Sequence, residues 1–211
     1  MGTLEYILNK FNLSYDERTK MPLEIPNYTR DDLAVLFKEL GFKKGVEIGV
    51  EQGVYSEVLC KANPELKLYG VDSYKTYATY RDHTRQGKLD RFYNATLEKM
   101  KPYNYQLIKK FSMDAVKDFE DESLDFVYID GNHDFQYATN DIVEWGKKVR
   151  KGGIISGHDY YNHRGNSRIH VYQVVNGYTY CYRIRPYFVI GLNAKVEGLK
   201  RDEARSFMWV K

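Results

Sequence analysis

Residues 45–53 read GVEIGVEQG, a short apolar run that leads into a turn with two glycines. The run predicts a buried strand, and residues 55–62 after the turn have the spacing of a helix. Glycines at such a junction let the backbone pass close to a bulky ligand before the helix begins. The stretch therefore predicts the first unit of a ligand-binding α/β domain.

The alternation of strand and helix continues along the chain. Further apolar segments predict strands at residues 66–71, 105–109, 124–129 and 153–156. Helical patterns lie between them, the clearest at residues 138–149, where apolar side chains recur on one face. Strands that alternate with helices form βαβ units and build a parallel sheet. Residues 187–191 and 206–210 predict two last strands with no helix between them, which is typical of an antiparallel hairpin at a sheet edge.

The N-terminal residues lack this alternation. Residues 1–29 combine a short amphipathic segment with Pro22 and Pro26, which predicts a helix followed by an irregular arm. The 211 residues fit one domain, which we place at residues 30–211.

Charge and cysteine content narrow the class of protein. Lys and Arg number 32 against 29 Asp and Glu, and the net charge of +3 is too small to indicate a nucleic-acid or membrane partner. Cys60 and Cys181 form neither a C-x-x-C pair nor a disulfide framework, and no apolar run reaches membrane-spanning length. We expect a cytoplasmic protein without a membrane segment, and a homo-oligomer stays open.

Polar residues stand at or just beyond the carboxyl ends of five consecutive predicted strands. They are Glu47 and Gly49, Asp72, Ser112 and Asp114, Asp130 and His133, and His158 and Asp159. In an open parallel sheet these ends lie along one edge, where ligands bind. Five such ends in succession exceed what chance loop composition supplies, so we expect a binding site at this edge.

The glycine turn indicates which ligands fit. Its pattern is E-x-G-x-x-x-G, whereas a dinucleotide site needs G-x-G-x-x-G, and Glu51 stands where the second of those glycines would be. A carboxylate there would face a pyrophosphate, which argues against NAD and favours a ligand that carries an ammonium and a sulfonium. In the alternative interpretation, the glycines serve packing alone.

Two further acids have a binding and a structural interpretation. Asp72 closes its strand about 25 residues after Glu47, where a carboxylate can accept both hydroxyls of a ribose, but it could also be a solvated loop acid or a cap. Asp114 precedes a helical pattern, so it is a candidate both for a helix cap and for an adenine contact.

In combination, these segments resemble the class I S-adenosylmethionine-dependent methyltransferases, and among them most closely the macrocin-type sugar O-methyltransferases, which act on small molecules. The resemblance covers about residues 30–160 and rests on residues 46–50 with Gly53, 70–72, 112–115, 124–130 with His133, and 151–160. It implies a Rossmann-like fold whose mostly parallel, seven-stranded sheet has an antiparallel last strand and helices on both faces.

The resemblance also implies how the cofactor is bound. It places Glu47, Gly49 and Gly53 along the methionine part, Asp72 on the ribose and Asp114 near the adenine. The full set of candidate cofactor contacts is Glu47, Gly49, Gly53, Ser56, Asp72, Ser112, Asp114 and Asp130.

Transfer of a methyl group to a hydroxyl requires alignment of the reactants and removal of a proton. We expect His133 to be the general base, and Asp130, His158 and Asp159 to hold a divalent cation, Mg²⁺ or Mn²⁺. The catalytic candidates are thus His133, Asp130 and His158. Macrocin-type enzymes have an acid where this chain has His158, and imidazole is a poor Mg²⁺ ligand, so the metal stays open. Alternatively, both histidines bond to backbone and both acids cap helices.

The predicted function is O-methylation of a small-molecule or sugar hydroxyl. A nucleotide-dependent oxidoreductase or hydroxylase-like protein, and a cofactor-binding module without catalysis, are the alternatives on the same fold. Nucleic-acid methylation is disfavoured because the chain has no Asp/Asn-Pro-Pro-Tyr/Phe motif. Residues 73–102 and 160–168 are the expected walls of the acceptor pocket, and His83, His163 and His170 are expected to be surface residues.

Overall fold

Eight strands form the central sheet of the computed structural model, which describes residues 1–77, 85–162 and 169–211. The strands are β1 (Leu23–Ile25), β2 (Lys44–Ile48), β3 (Lys67–Val71), β4 (Tyr105–Ile108), β5 (Leu124–Ile129), β6 (Val149–Gly157), β7 (Phe188–Ile190) and β8 (Phe207–Val210). The helices are α1 (Thr3–Lys10), α2 (Arg30–Glu39), α3 (Val54–Ala62), α4 (Gln86–Met100), α5 (Ser112–Ala115), α6 (Phe135–Lys148) and α7 (Val171–Cys181), with a 3₁₀ turn at Val116–Asp118.

The order of strands across the sheet is β1-β7-β8-β6-β5-β2-β3-β4. All neighbouring pairs are parallel except those of β8, which runs antiparallel to both β6 and β7. This confirms the Rossmann-like, mostly parallel sheet with an antiparallel last strand. The alternation of strands and helices from β2 to β6 is also as predicted.

Two apolar cores cover the two faces of the sheet. On one face, Trp145 and Ile142 of α6 pack with Val127 of β5. On the other, Phe37 of α2 stacks on Phe126 of β5 with ring centroids 4.1 Å apart. Helices therefore lie on both faces, as predicted. The carboxyl ends of the strands are left uncovered by these helices, and the loops that follow the strands lie there.

The sheet has one strand more than predicted. β1 lies within the segment that the sequence predicts to be an irregular arm, and it pairs in parallel with β7 through Leu23 and Phe188, and Ile25 and Ile190. Because β1 has three residues and follows a proline, its alternation is too short to give a strand pattern. β1 also makes β7 an inner strand, so the predicted hairpin does not form the sheet edge. The domain boundary at residue 30 stays a prediction.

Helix α7 was not predicted. Its buried residues Val171, Val174 and Val175 have helical spacing, but tyrosines occur on both its buried and its exposed sides and blur the contrast. His170 caps this helix, and its Nδ1 accepts a hydrogen bond from the Phe135 backbone N–H at 3.2 Å. His83, His163 and residues 163–168 of the predicted pocket wall lie outside the described residues. Of the described helices, none has both the length and the apolar character needed to span a bilayer.

Candidate functional site

The backbone ladder brings the predicted strand ends together. The first residue beyond each strand donates its N–H to the last residue of a neighbouring strand: Gly49 to Val71, Asp72 to Ile108, Asp130 to Ile48 and His158 to Ile129. The order along the edge is therefore His158, Asp130, Gly49, Asp72 and then the loop after β4. This is the polar edge that the sequence predicts.

A cavity of about 470 Å³ opens over this edge. Among the residues that line it are Arg30, Glu47, Gly49, Glu51, Asp72, Tyr77, Ser112, Asp130, His133, Tyr137 and Asp141. Of the predicted candidates, Gly53, Ser56, Asp114, His158 and Asp159 are not part of the lining.

The glycine turn forms the floor of the cavity. Gly49 has φ +86°, and a Cβ there would collide with the carbonyl oxygen of Asp130. Only glycine combines this left-handed conformation with such a close approach. Gly53, at φ +67°, caps α3 behind the turn. Gly49 thus serves both the turn and the contact between β2 and β5.

Glu47 is almost completely buried, with 1% of its surface exposed. The hydroxyl of Ser56 donates a hydrogen bond to its Oε2, so Ser56 supports Glu47 from behind the cavity. Burial raises the pKa of Glu47 to about 8, although the Ser56 hydrogen bond opposes this shift. The carboxyl group is therefore mostly neutral at pH 7, and a cationic ligand group beside it would favour the ionised form.

Asp72 stabilises the glycine turn and also borders the cavity. Its Oδ2 accepts hydrogen bonds from the backbone N–H groups of Val50 and Glu51, both at 3.1 Å, and its Oδ1 accepts one from Tyr74 at 2.8 Å. Burial raises the pKa of Asp72 and these N–H donors lower it, with burial the larger effect. Asp72 is thus not a solvated loop acid, and its oxygens retain lone pairs for a ligand.

The loop after β4 places its two candidates differently. Ser112 lines the cavity, whereas the Asp114 side chain is 62% exposed and forms an ion pair with Lys117 Nζ at 3.0 Å. The structure therefore does not bring Asp114 to the cavity, and the expected adenine contact from this residue lacks a geometric basis. The physical reason is that α5 begins at Ser112 and turns the side chain two residues later toward solvent.

Asp141 is a cavity residue that the sequence analysis missed. It lies on α6 with 4% of its surface exposed, and its Oδ1 accepts a hydrogen bond from the Ser112 hydroxyl. The Trp145 indole donates to that same hydroxyl at 2.7 Å. Burial raises the pKa of Asp141 to about 7, and Ser112 opposes the shift. An acid on the apolar face of a predicted helix, four residues before Trp145, was the available signal.

The loops after β5 and β6 bring two acids around one imidazole. His133 Nε2 lies 2.9 Å from Asp159 Oδ2 and 3.6 Å from Asp130 Oδ1. One ligand atom from each of these three residues lies within 4.8 Å of the others, which is compatible with a shared cation. His158 Nδ1 is 3.4 Å from Asp159 Oδ2 and 3.7 Å from Asp130 Oδ1. The predicted ligand set named His158, whereas His133 completes the tightest group.

The charges in this cluster shift its pKa values strongly. Burial lowers the pKa of His133, but polar contacts with Asp130 and Asp159 outweigh burial and raise it to about 10. The pKa of His158 is also raised, since Asp159 and Asp130 outweigh its burial. For Asp159 the two imidazoles outweigh burial and hold the pKa well below its ordinary value. Without a cation, the cluster holds protonated imidazole between carboxylates at neutral pH.

Arg30, at the start of α2, is another cavity residue that the sequence analysis missed. Its Nη1 lies 3.6 Å from Asp130 Oδ2, on the side of that carboxylate away from the histidines. The guanidinium also lies over the Tyr55 ring, 5.1 Å from its centroid. Nothing in the local pattern of the sequence singles out this arginine, because its role depends on how α2 packs beside β5.

The chain is similar to a known family of proteins and to several solved structures. A model of a family described as a methyltransferase domain matches residues 46–160, which is more than half of the chain. Among curated proteins, none matches the chain at a significant level.

Several solved structures share the fold at low sequence identity. An O-methyltransferase from Bacillus cereus in complex with SAH has a TM-score of 0.60 and 15% identity, over 99% of this chain and 90% of that one. The O-methyltransferase TomG from Streptomyces achromogenes, in complex with SAM, has a TM-score of 0.55 and 14% identity, over 97% and 86%. A precorrin-6y C5,15-methyltransferase from Geobacter metallireducens has a TM-score of 0.57 and 11% identity, over 86% and 87%.

Proposed function

The chain belongs to this family of methyltransferase domains, and from that premise we propose that it uses S-adenosylmethionine to methylate a hydroxyl of a small molecule or a sugar. The observation that carries the proposal is the polar edge of the sheet, where one continuous cavity is bordered by the glycine turn, Asp72 and the cluster around His133. Cofactor and acceptor would meet in this cavity.

The floor of the cavity supports S-adenosylmethionine over a dinucleotide. Glu51 has a left-handed backbone with φ +50° and is part of the cavity lining, so an acidic residue occupies the turn at which a pyrophosphate would need N–H donors. Glu47 is a buried acid that an ammonium group would ionise, and Asp72 offers two oxygens to ribose hydroxyls. A cationic amino-acid end and a ribose suit this pattern.

The cluster around His133 supports a divalent cation. His133 Nε2 is buried and has no hydrogen bond of good geometry among the described residues, although two carboxylates lie beside it. The oxygens of these two carboxylates lie within 4.8 Å of each other and of Nε2, and such a pair of acids supplies the negative charge that a divalent cation needs. We propose that Asp130 and Asp159 hold the ion, with imidazole support from His158, and imidazole ligands favour Mn²⁺ or another borderline cation over Mg²⁺.

The bound ion would lower the pKa of the acceptor hydroxyl and neutralise the two carboxylates. His133 is the proposed general base. In the ion-free cluster Asp130 and Asp159 keep it protonated, and an imidazole that already carries this proton cannot accept another. With its carboxylate neighbours neutralised, Nε2 becomes available to the proton of the acceptor. Metal and base are therefore linked in this proposal.

We also propose a cytoplasmic location for the protein. Cys60 is buried and Cys181 exposed, and neither forms a disulfide, which fits the expected cytoplasm. The proposed acceptor is a small molecule, without a nucleic-acid partner, and a homo-oligomer is compatible with it.

Calorimetric titration tests the cofactor part directly. S-adenosylhomocysteine should bind and raise the melting temperature, and NAD should do neither. NAD binding without S-adenosylhomocysteine binding would overturn the assignment. Transfer of a labelled methyl group from S-adenosylmethionine to a panel of sugars and phenols then tests the acceptor, and transfer only to amines, thiols or carbon would refute O-methylation.

A further inference from the structure

Asp141 has one carboxylate oxygen that its surroundings do not satisfy. The side chain is more than nine-tenths buried in the cavity wall, and Oδ1 accepts from Ser112. Oδ2 has no hydrogen bond to any of the described residues. Oδ2 is not itself fully buried but is accessible from the cavity, so a ligand that supplies an N–H or O–H group could donate to it.

Gly131 leaves this oxygen uncovered. A Cβ at residue 131 would lie 3.5 Å from Asp141 Oδ2, in ordinary van der Waals contact, and Gly131 also lines the cavity. Aromatic rings border the same cavity: the Tyr77 ring lies 5.5 Å from that of Phe111 and 5.9 Å from that of Tyr137. Flat rings and an accessible hydrogen-bond acceptor in the lining of one cavity suit a heteroaromatic base with an amino group.

The order of the strand ends indicates where such a base would lie. The proposed reaction cluster follows β5 and β6, Asp72 follows β3, and Ser112 follows β4 at the far end of the edge. If S-adenosylmethionine binds with its sulfur toward the cluster around His133 and its ribose at Asp72, its adenine base would extend toward Ser112. Asp141 reaches this end of the cavity through its hydrogen bond with Ser112.

We propose that Asp141, rather than the predicted Asp114, accepts a hydrogen bond from the exocyclic amine of the adenine and so determines the specificity of the cofactor site for adenine. This inference rests on the proposed use of S-adenosylmethionine. Burial raises the pKa of Asp141 to about 7, so a donor that satisfies Oδ2 also favours the ionised carboxylate.

The directions of the hydrogen bonds around Ser112 predict how the Asp141→Asn variant would differ from the wild-type protein. The indole nitrogen of Trp145 can only donate, so the Ser112 hydroxyl accepts from Trp145 and must donate to Asp141 Oδ1. In Asp141→Asn the amide oxygen would take the place of Oδ1, and the amide NH₂ would replace Oδ2. The wall would then offer a donor where it now offers an acceptor.

The two probes are S-adenosylhomocysteine and S-inosylhomocysteine, in which an oxygen replaces the amine. At about pH 8, where most Asp141 is ionised, the wild-type protein should bind the adenosyl compound at least tenfold more tightly, because the inosyl oxygen would face the acceptor Asp141 Oδ2. Asp141→Asn should lose about 10–100-fold in affinity for the adenosyl compound and should gain affinity for the inosyl compound. Asp114→Asn is the matched control and should leave both dissociation constants unchanged.

The outcomes separate this inference from the proposed function. Equal affinities of the wild-type protein for the two probes, a measurement that needs no variant, would overturn the role of Asp141. Asp141→Asn with a wild-type melting temperature and wild-type preference would do so as well. Ser112→Ala retains the carboxylate and should keep the adenine preference, and a reversed preference there would contradict the proposal. Absence of S-adenosylhomocysteine binding to the wild-type protein would instead refute the proposed function.

Discussion

Replacing Glu47 by glutamine should stabilise the ligand-free protein at neutral pH and leave its stability near pH 4.5 almost unchanged. The glutamine has the size and neutrality of protonated glutamic acid, and it can keep the hydrogen bond from Ser56. The two proteins therefore differ mainly in the cost that the wild-type protein bears for keeping this buried group protonated.

The pKa of Glu47 gives the sign and the size of this effect. The pKa is about 8 in the folded protein and 4.5 ordinarily, so between these values the folded state holds a proton that the unfolded state has lost. The free energy of unfolding consequently falls as pH rises through this interval. At about 1.4 kcal/mol per pH unit, the difference between variant and wild type reaches about 3 kcal/mol at pH 7. For a domain of this length that is roughly 6–12 °C in melting temperature.

Chemical denaturation of both proteins at several pH values between 4.5 and 8.5 measures this difference. Glu98→Gln is the matched control: its side chain is 71% exposed and pairs with Lys101, so the same substitution should change stability by less than about 1 kcal/mol. A Glu47→Gln difference that stays constant with pH would refute the reasoning, since it would mean that Glu47 titrates alike in the folded and unfolded states.

The remaining predictions concern the site. Asp72→Ala should weaken S-adenosylhomocysteine binding by about 1–3 kcal/mol in calorimetry, and an unchanged dissociation constant would limit Asp72 to the glycine turn. His133→Ala should keep that affinity but lose about 10²–10⁴-fold in turnover, and full activity would exclude a general base. If the affinity of the His133→Ala variant for Mn²⁺ also fell below that of the wild-type protein, His133 would be a metal ligand rather than a base. Turnover should be abolished by Asp130→Asn, by Asp159→Asn and by a chelator. Mn²⁺ should restore the activity of the chelator-treated enzyme at least as well as Mg²⁺ does. Activity that resists the chelator would contradict the proposed role of a metal ion.

Much of the fold could be predicted because its pattern is local. The segment around β2 shows both strand and turn in nine residues, and β5 was predicted with its observed bounds. β1 could not be predicted, because a three-residue strand is stabilised by its partner β7, almost the whole chain away. β6 was predicted five residues too short, four of them at its start, where Arg150 and Lys151 interrupt the apolar pattern.

The residues of the candidate site also differ in how well the sequence predicts them. Residues that directly follow a strand, such as Asp72 and Asp130, could be placed from the alternation alone, because the sheet determines their position. Asp114 could not, since the course of a short helix decides whether its side chain faces the cavity. Arg30 and Asp141 enter the cavity from helices, so they become visible only after the helices are packed on the sheet.

The two histidines show why residue order alone does not assign roles. In an extended strand, successive side chains point to opposite faces, so His158 and Asp159 would not both approach Asp130. Asp159 instead has φ +58°, a left-handed conformation that aspartate tolerates better than most residues. This conformation brings Asp159 Oδ2 within 3.4 Å of His158 Nδ1 and 2.9 Å of His133 Nε2. One backbone angle thus decides which imidazole completes the cluster, and a sequence pattern that records residue types but no dihedral angles leaves this choice open.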